Sequence, residues 1–119
     1  MKDQLTWEEV IKRDDIIGGT IKIYECNHVY RGKIRSLKIE GEQVFIDLDG
    51  AERALSLDEN EKKHWKHSVV SSFFWKKICL ATPVRDGPIS FVISNLSFAL
   101  IYPKGVDDPD FVKAKRLRA

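Results

Sequence analysis

The sequence has few of the features that mark secreted, membrane-embedded or disulfide-stapled chains. Only two of its 119 residues are cysteine, Cys26 and Cys79, and the segment that begins at Met1 is polar. We therefore expect a cytoplasmic protein whose thiols are reduced. The longest apolar-rich stretch, 89–102, is interrupted by serine and asparagine and is too short to cross a bilayer. We accordingly expect no membrane partner.

The chain also lacks a strong charge of either sign, with 20 lysines and arginines against 18 aspartates and glutamates. Four of the basic residues fall in the last seven positions, so the rest of the chain is close to neutral. Those four are Lys113, Lys115, Arg116 and Arg118. Domains that bind nucleic acid are usually strongly basic, because each phosphate contact needs a cation. The overall charge therefore gives no support to nucleic-acid binding.

Motifs of catalysis and metal binding are missing as well. The sequence contains no Gly-x-Ser-x-Gly elbow, no phosphate-binding glycine loop and no His-Glu-x-x-His pair. Four residues could supply zinc ligands, although their spacing matches no zinc motif: Cys26, His28, His64 and His67. We expect no metal, no cofactor and no catalysis, with an enzyme assembled from distant residues as the remaining alternative.

Hydrophobic residues make up 43% of the chain and charged residues 32%, a balance that supports a folded core. We expect one domain over residues 1–106, followed by a basic C-terminal tail over 107–119. Thr6 and Glu9 have the spacing of a capping box, which predicts a short helix beginning at Trp7. The same spacing in Ser56 and Glu59 predicts either a second short helix within 56–67 or an ordered loop.

Alternating apolar residues begin at Thr20 and predict a hairpin turning at Asn27-His28, with Ile21 opposite Ile34. Beyond it the apolar phase changes at Arg35-Ser36, which predicts a β-bulge. A turn at Gly41-Glu42 then pairs Ile39 with Val44 and Leu37 with Ile46. The pattern ends this strand at Asp49-Gly50.

Three further strands are predicted: 73–81 with Phe74, Ile78 and Leu80 in phase, 89–93, and 98–102. The fold class is therefore mainly β, with six strands and a bulged, bent second strand. Such strands favour a small curved sheet or barrel of SH3-like, Sm-like or OB-like architecture, because closure removes exposed edges.

The outward face of the first hairpin carries basic and aromatic residues, namely Lys22, Tyr24, Arg31, Lys33 and Arg35. With the four tail residues they predict a surface for RNA or single-stranded nucleic acid, on which lysine and arginine contact phosphate and tyrosine stacks on a base. The alternative interpretation is a solvated sheet face that binds no ligand. We expect a noncatalytic binding module.

A run of aromatic residues supports a different partner. Consecutive strand residues point to opposite faces, so Phe73 and Trp75 are exposed unless the N-terminal helix covers them through Trp7 and Ile11. If exposed, they form with Trp65 a surface for another protein or for self-association into a homodimer. A third hypothesis is a small-ligand barrel or enzyme with a pocket at the mouth of the sheet.

Overall fold

The computed structural model describes residues 4–55, 64–83 and 87–107, and within these ranges the protein is mainly β. One short helix, α1, spans Trp7–Ile11. The eight described strands are β1 (Thr20–Tyr24), β2 (His28–Glu40), β3 (Gln43–Leu55), β4 (Lys66–His67), β5 (Ser72–Lys76), β6 (Thr82–Pro83), β7 (Ile89–Ser94) and β8 (Ser97–Tyr102).

All described strand pairs are antiparallel and belong to one sheet in the order β4-β3-β2-β1-β8-β7-β6. β5 pairs with β3 on the same side as β4. The predicted class is confirmed, but eight strands replace the predicted six, and among the described strands this order is open, with β4 and β6 at its ends. No helix in the described part of the chain is long and apolar enough to span a membrane.

α1 begins where the capping box predicts. The backbone N–H of Glu9 donates to Thr6 Oγ1, and the Glu9 carboxylate accepts from the N–H of Thr6. Trp7 and Val10 face the core, whereas Ile11 is exposed, so only one residue of the predicted covering pair covers the core.

The first hairpin forms with its turn one residue earlier than predicted. Glu25 N donates to His28 O, leaving Cys26-Asn27 at the turn, so Ile21 lies opposite Gly32 rather than Ile34. The difference of two positions in register preserves which residues share a face, because side chains alternate with period two. Lys22 consequently lies opposite Arg31 instead of Lys33.

The long hairpin of β2 and β3 has the predicted pairing near its turn, with Ile39 opposite Val44 and Leu37 opposite Ile46. The register shifts between Ile34 and Ser36, so the predicted bulge is confirmed. β3 continues past Asp49-Gly50, however. A second register shift lies there, and Gly50 has φ +66°, which glycine adopts without strain.

The predicted strand 73–81 is correct only in its first half, and the helix or loop predicted over 56–67 is described only from residue 64. The predicted strand 73–81 is divided by a turn after Lys76, where Cys79 N donates to Lys76 O. Residues 64–67 are extended or in β4 rather than helical. Residues 56–63 lie outside the described ranges, so the choice between a short helix and an ordered loop there stays a prediction.

The core lies on the concave side of the sheet and under α1. Trp7 from α1, Trp75 from β5 and Phe91 from β7 pack together, with ring centroids 4.6–5.0 Å apart. β5 and β7 do not pair with each other among the described strands, yet they meet across the core through Trp75 and Phe91. The sheet is therefore strongly curved, and the Trp7 side chain of α1 packs where β5 and β7 approach.

Candidate ligand-binding surfaces

The predicted basic face of the first hairpin is divided between buried and exposed side chains. Lys22 is 2% exposed, and the Tyr24 ring stacks on Phe98 with centroids 4.6 Å apart. Two of the five predicted residues, Lys33 and Arg35, are exposed to solvent.

Arg31, the fifth member of this predicted face, is engaged within the protein. Its Nε donates to Glu52 Oε1 at 3.1 Å, and its guanidinium carbon lies 3.9 Å from the centre of the Trp65 ring. A carboxylate and an aromatic face are the two partners that suit a guanidinium best. The same contact covers one face of Trp65, which is half-buried.

The aromatic run in β5 alternates as its strand geometry requires. Phe73 and Trp75 point to the concave side, where Trp75 is 2% exposed and Phe73 packs on Tyr30 with centroids 5.2 Å apart. Phe74 points outward and is 62% exposed. Its nearest aromatic neighbour is Phe45, directly across the strand pair at 5.9 Å. Of the predicted protein-interface residues, Phe73 and Trp75 therefore point inward, and Trp65 is half-buried against Arg31.

The predicted basic tail residues Lys113, Lys115, Arg116 and Arg118 lie outside the described residues. Their assignment stays a prediction.

A cleft of about 600 Å³ lies at the end of the long hairpin. Its described lining consists of two imidazoles, two cations and two apolar residues, without a carboxylate: His28, Arg53, His64, Lys66, Ala54 and Leu55. No group of three or more potential metal ligands occurs in the described ranges, so the predicted histidines do not form a metal cluster there. The chemistry of this lining suits an anion.

The register of three strands builds this cationic cleft, defined here by His28, Arg53, His64 and Lys66. Arg53 lies opposite Tyr30 on one side and opposite Lys66 on the other. Cross-strand partners share a face, so Arg53 and Lys66 lie on the concave face with Tyr30, which packs on the core. The cleft therefore prolongs the concave face beyond the core.

Sequence reasoning missed Arg53 and Lys66 because it ended β3 at Asp49-Gly50. Local periodicity gave no signal, because Ala51 and Arg53 are one position out of phase with Val44, Ile46 and Leu48 and return to the inward face only through the register shift at Gly50. Placing Lys66 beside Arg53 required knowing that the chain returns as β4.

A second cleft, of about 330 Å³, adjoins the predicted hairpin face. Charges of both signs line it, contributed by Arg31, Lys33, Asp49, Glu52 and Asp107. Because these charges oppose one another, this cleft selects neither anions nor cations, and the cationic cleft is the sharper candidate.

The outward face of β2, β3 and β5 also carries a bonded carboxylate, Asp47. Ser36 Oγ donates to Asp47 Oδ2 at 3.1 Å, and Ser72 Oγ donates to Oδ1. These hydrogen bonds, first that of Ser72, lower the pKa of Asp47, and the nearby Arg35 acts in the same direction. Asp47 is therefore an ionised acceptor that joins the three strands.

Comparison with protein-family models, with curated proteins and with solved structures found no match to this chain.

Proposed function

We propose that this protein is a noncatalytic binding module for RNA or single-stranded nucleic acid, whose phosphates bind in the cationic cleft. The observation that carries the proposal is the described lining of that cleft, in which Arg53, Lys66, His28 and His64 occur without a carboxylate. Arginine and lysine are the usual phosphate ligands of proteins, and neutral imidazole also donates one hydrogen bond to an anion.

The arrangement of Arg53 and Lys66 favours a bound anion. They lie directly opposite each other in β3 and β4, and neither has an ion-pair partner among the described residues. Like charges at such positions cost about 0.2 to 1 kcal/mol. A phosphate between the two side chains converts that repulsion into two attractive contacts.

A row of rings beside the cleft supports a ligand that also carries a base. His28 lies 6.3 Å from Tyr30, and Tyr30 lies 5.2 Å from Phe73, measured between ring centroids. All three rings are half-buried, and His28 is the ring of this row that lines the cleft. Stacking on aromatic rings is the common mode of base recognition in single strands.

Lys33 and Arg35 lie on the outward face of β2, opposite the face that holds the cleft, so they are proposed as a second contact for a strand of nucleic acid that passes around the sheet. The tail residues are proposed to contact the same strand. Lys22, Tyr24 and Arg31 are proposed to support this surface rather than to touch the ligand, since each is buried or engaged within the protein.

The curved sheet also motivates the finer architectural proposal, a barrel of SH3-like, Sm-like or OB-like kind. Its support is the contact of Trp75 with Phe91 at 4.6 Å, which brings two strands that do not pair to opposite sides of one core. In such barrels the mouth is a frequent ligand site.

The test is a titration of mixed-sequence RNA and single-stranded DNA at low and moderate salt. Each phosphate contact contributes a slope of about −0.7 to the plot of log affinity against log salt. The Arg53→Glu/Lys66→Glu variant should therefore weaken low-salt binding and reduce the magnitude of the slope by at least about 1.4. Lys12→Glu/Lys104→Glu is the matched control, because both side chains are exposed away from the cleft.

Three results would redirect or retire the proposal. Loss of binding in Lys33→Glu/Arg35→Glu but not in the cleft variant would move the surface to the first hairpin. Binding of a mononucleotide as tight as that of an oligonucleotide would indicate a small-ligand site. Absence of binding to any nucleic acid at low salt would sink the nucleic-acid hypothesis.

A further inference from the structure

The outer edge of β5 carries backbone N–H and C=O groups that pair with no other described strand. Among the described strands β5 pairs with β3 alone. Leu48 N donates to Ser71 O at 2.7 Å and Lys77 N donates to Glu42 O at 2.8 Å, one bond at each end of this pairing. These bonds fix which β5 residues point their backbone groups towards β3.

Hydrogen-bonded positions alternate along an antiparallel pair. Between the two bracketing bonds, Phe73 and Trp75 therefore exchange hydrogen bonds with β3, opposite Ile46 and Val44. Ser72, Phe74 and Lys76 direct their N–H and C=O groups away from β3. One of these, the Lys76 carbonyl, accepts from Cys79 N.

Proteins usually protect such an edge, because unpaired N–H and C=O groups bind any extended strand. Here the middle residue of the edge is Phe74, whose side chain is 62% exposed beside Phe45. The edge thus combines unused hydrogen-bonding groups with an exposed aromatic side chain at its centre.

The geometry points to a homodimer in which β5 pairs antiparallel with β5 of a second copy, about a two-fold axis at Phe74. In this register Phe74 lies opposite Phe74 of the second copy, and the two residues exchange both N–H···O bonds. Lys76 lies opposite Ser72 of the second copy, so no like charges face each other. The sequence of β5 is therefore complementary to itself.

The outward face strengthens this register. Phe45 and Phe74 lie side by side, and a two-fold axis through the edge produces a row of four rings across both copies. An unrelated peptide could pair with the same backbone groups. The β5–β5 register about Phe74 additionally places the exposed rings of the two copies next to each other. An edge of five residues is short, so we expect affinity in the micromolar range rather than a permanent dimer.

The first experiment measures mass by light scattering and sedimentation from about 1 µM to about 500 µM protein. Wild type should approach twice the monomer mass at the upper end. Phe74→Pro removes an N–H that β3 does not use, so it should remain folded and monomeric. Phe74→Ala retains the N–H and should weaken the dimer about tenfold.

A wild type that is monomeric throughout, or a Phe74→Pro variant that is folded and dimeric, would overturn the proposed interface. If Phe74→Pro fails to fold, cross-linking decides. In a Cys26→Ser background, Phe74→Cys should oxidise to a covalent dimer, because directly paired residues lie about 5.5 Å apart between Cα atoms.

Phe45→Cys is the control in that background. It lies three strand spacings from its copy, about 14 Å, which is too far for a disulfide. Failure of Phe74→Cys to cross-link, or equal cross-linking at both positions, would contradict the proposed register. Because RNA binding uses other residues, neither result bears on the function proposed above.

Discussion

Phe74 and Trp75 are neighbours in β5, but they occupy opposite faces of the sheet and contribute different things. Trp75 packs between Trp7 and Phe91 on the concave side. Phe74 lies on the convex side beside Phe45 and keeps most of its surface in water. The pair teaches that an aromatic run predicts a binding surface only after the phase of its strand is known, and here the cross-strand partners Val44 and Phe45 set that phase.

The largest expected contrast is in stability. Trp75→Ala should lower the free energy of unfolding by about 3 to 5 kcal/mol, because it empties the centre of the core. Phe74→Ala is the matched control and should change it by no more than about 0.5 kcal/mol. Urea denaturation below the dimerisation range measures both. Equal losses would mean that the two faces do not differ in the way described.

The second contrast is between Trp7 and Trp75, which pack against each other on the concave side of the sheet. Trp7 Nε1 donates to Cys79 O at 2.6 Å, whereas Trp75 Nε1 is buried without a hydrogen-bond partner among the described residues. Trp7→Phe leaves a carbonyl unsatisfied and should cost about 1 to 3 kcal/mol beyond the loss of ring volume. Trp75→Phe loses similar volume and removes an unbonded donor, so its denaturation midpoint should fall less. The opposite order would contradict the assigned hydrogen bond.

The third test concerns charge on the convex face. The folded-state pKa of Asp47 lies below its usual value, chiefly through the hydrogen bond from Ser72. Ionised Asp47 therefore stabilises the fold above the unfolded-state pKa of about 4, and this contribution disappears as the pH falls through the folded-state value.

Asp47→Asn should accordingly be less stable than wild type at pH 7, by less than about 1 kcal/mol. The two proteins should converge as the pH falls through the folded-state pKa of Asp47, below which the native carboxyl is also protonated. Thermal melts across this range make the comparison, with Asp14→Asn, an exposed carboxyl on another surface, as the control. A constant difference at all pH values would exclude the ionised carboxylate as the cause.

The smallest effect is expected for an exposed ion pair on the same convex face. Lys38 Nζ lies 3.1 Å from Glu40 Oε1, and both side chains are about 60% exposed. Lys38→Ala should change the free energy of unfolding by no more than about 0.5 kcal/mol, with the change diminishing further in salt. A loss comparable to that of Trp7→Phe would show that the convex face contributes far more to stability than its exposure indicates.

Sequence patterns were sufficient where the signals were local and agreed with one another. Thr6 and Glu9 located α1, and the Gly41-Glu42 turn, together with the phase change at Arg35, gave both the pairing and the bulge of the long hairpin. Each of these predictions depends on residues a few positions apart. The mainly β class followed from the same patterns.

One remaining error is local, and the others involve contacts between distant parts of the chain. A turn at Cys26-Asn27 and a turn at Asn27-His28 give the same faces, so periodicity could not choose between them. Burial of Lys22 and engagement of Arg31 by Glu52 and Trp65 depend on neighbours that no local pattern reveals. The cationic cleft required the return of β4 to β3 and was missed for that reason.

The length of the β2–β3 hairpin has a kinetic consequence. Its two strands of 13 residues meet across one tight turn, so their contacts close small loops, whereas β1 must find β8 across most of the chain, with Thr20 reaching Tyr102. Loop closure of that size is slow. We expect the hairpin to be formed in the folding transition state and β1 to pair with β8 afterwards. In stopped-flow measurements, Ile46→Val should then slow refolding, and Ile101→Val should mainly speed unfolding. The reverse pattern would mean that β1 pairs with β8 before the hairpin forms.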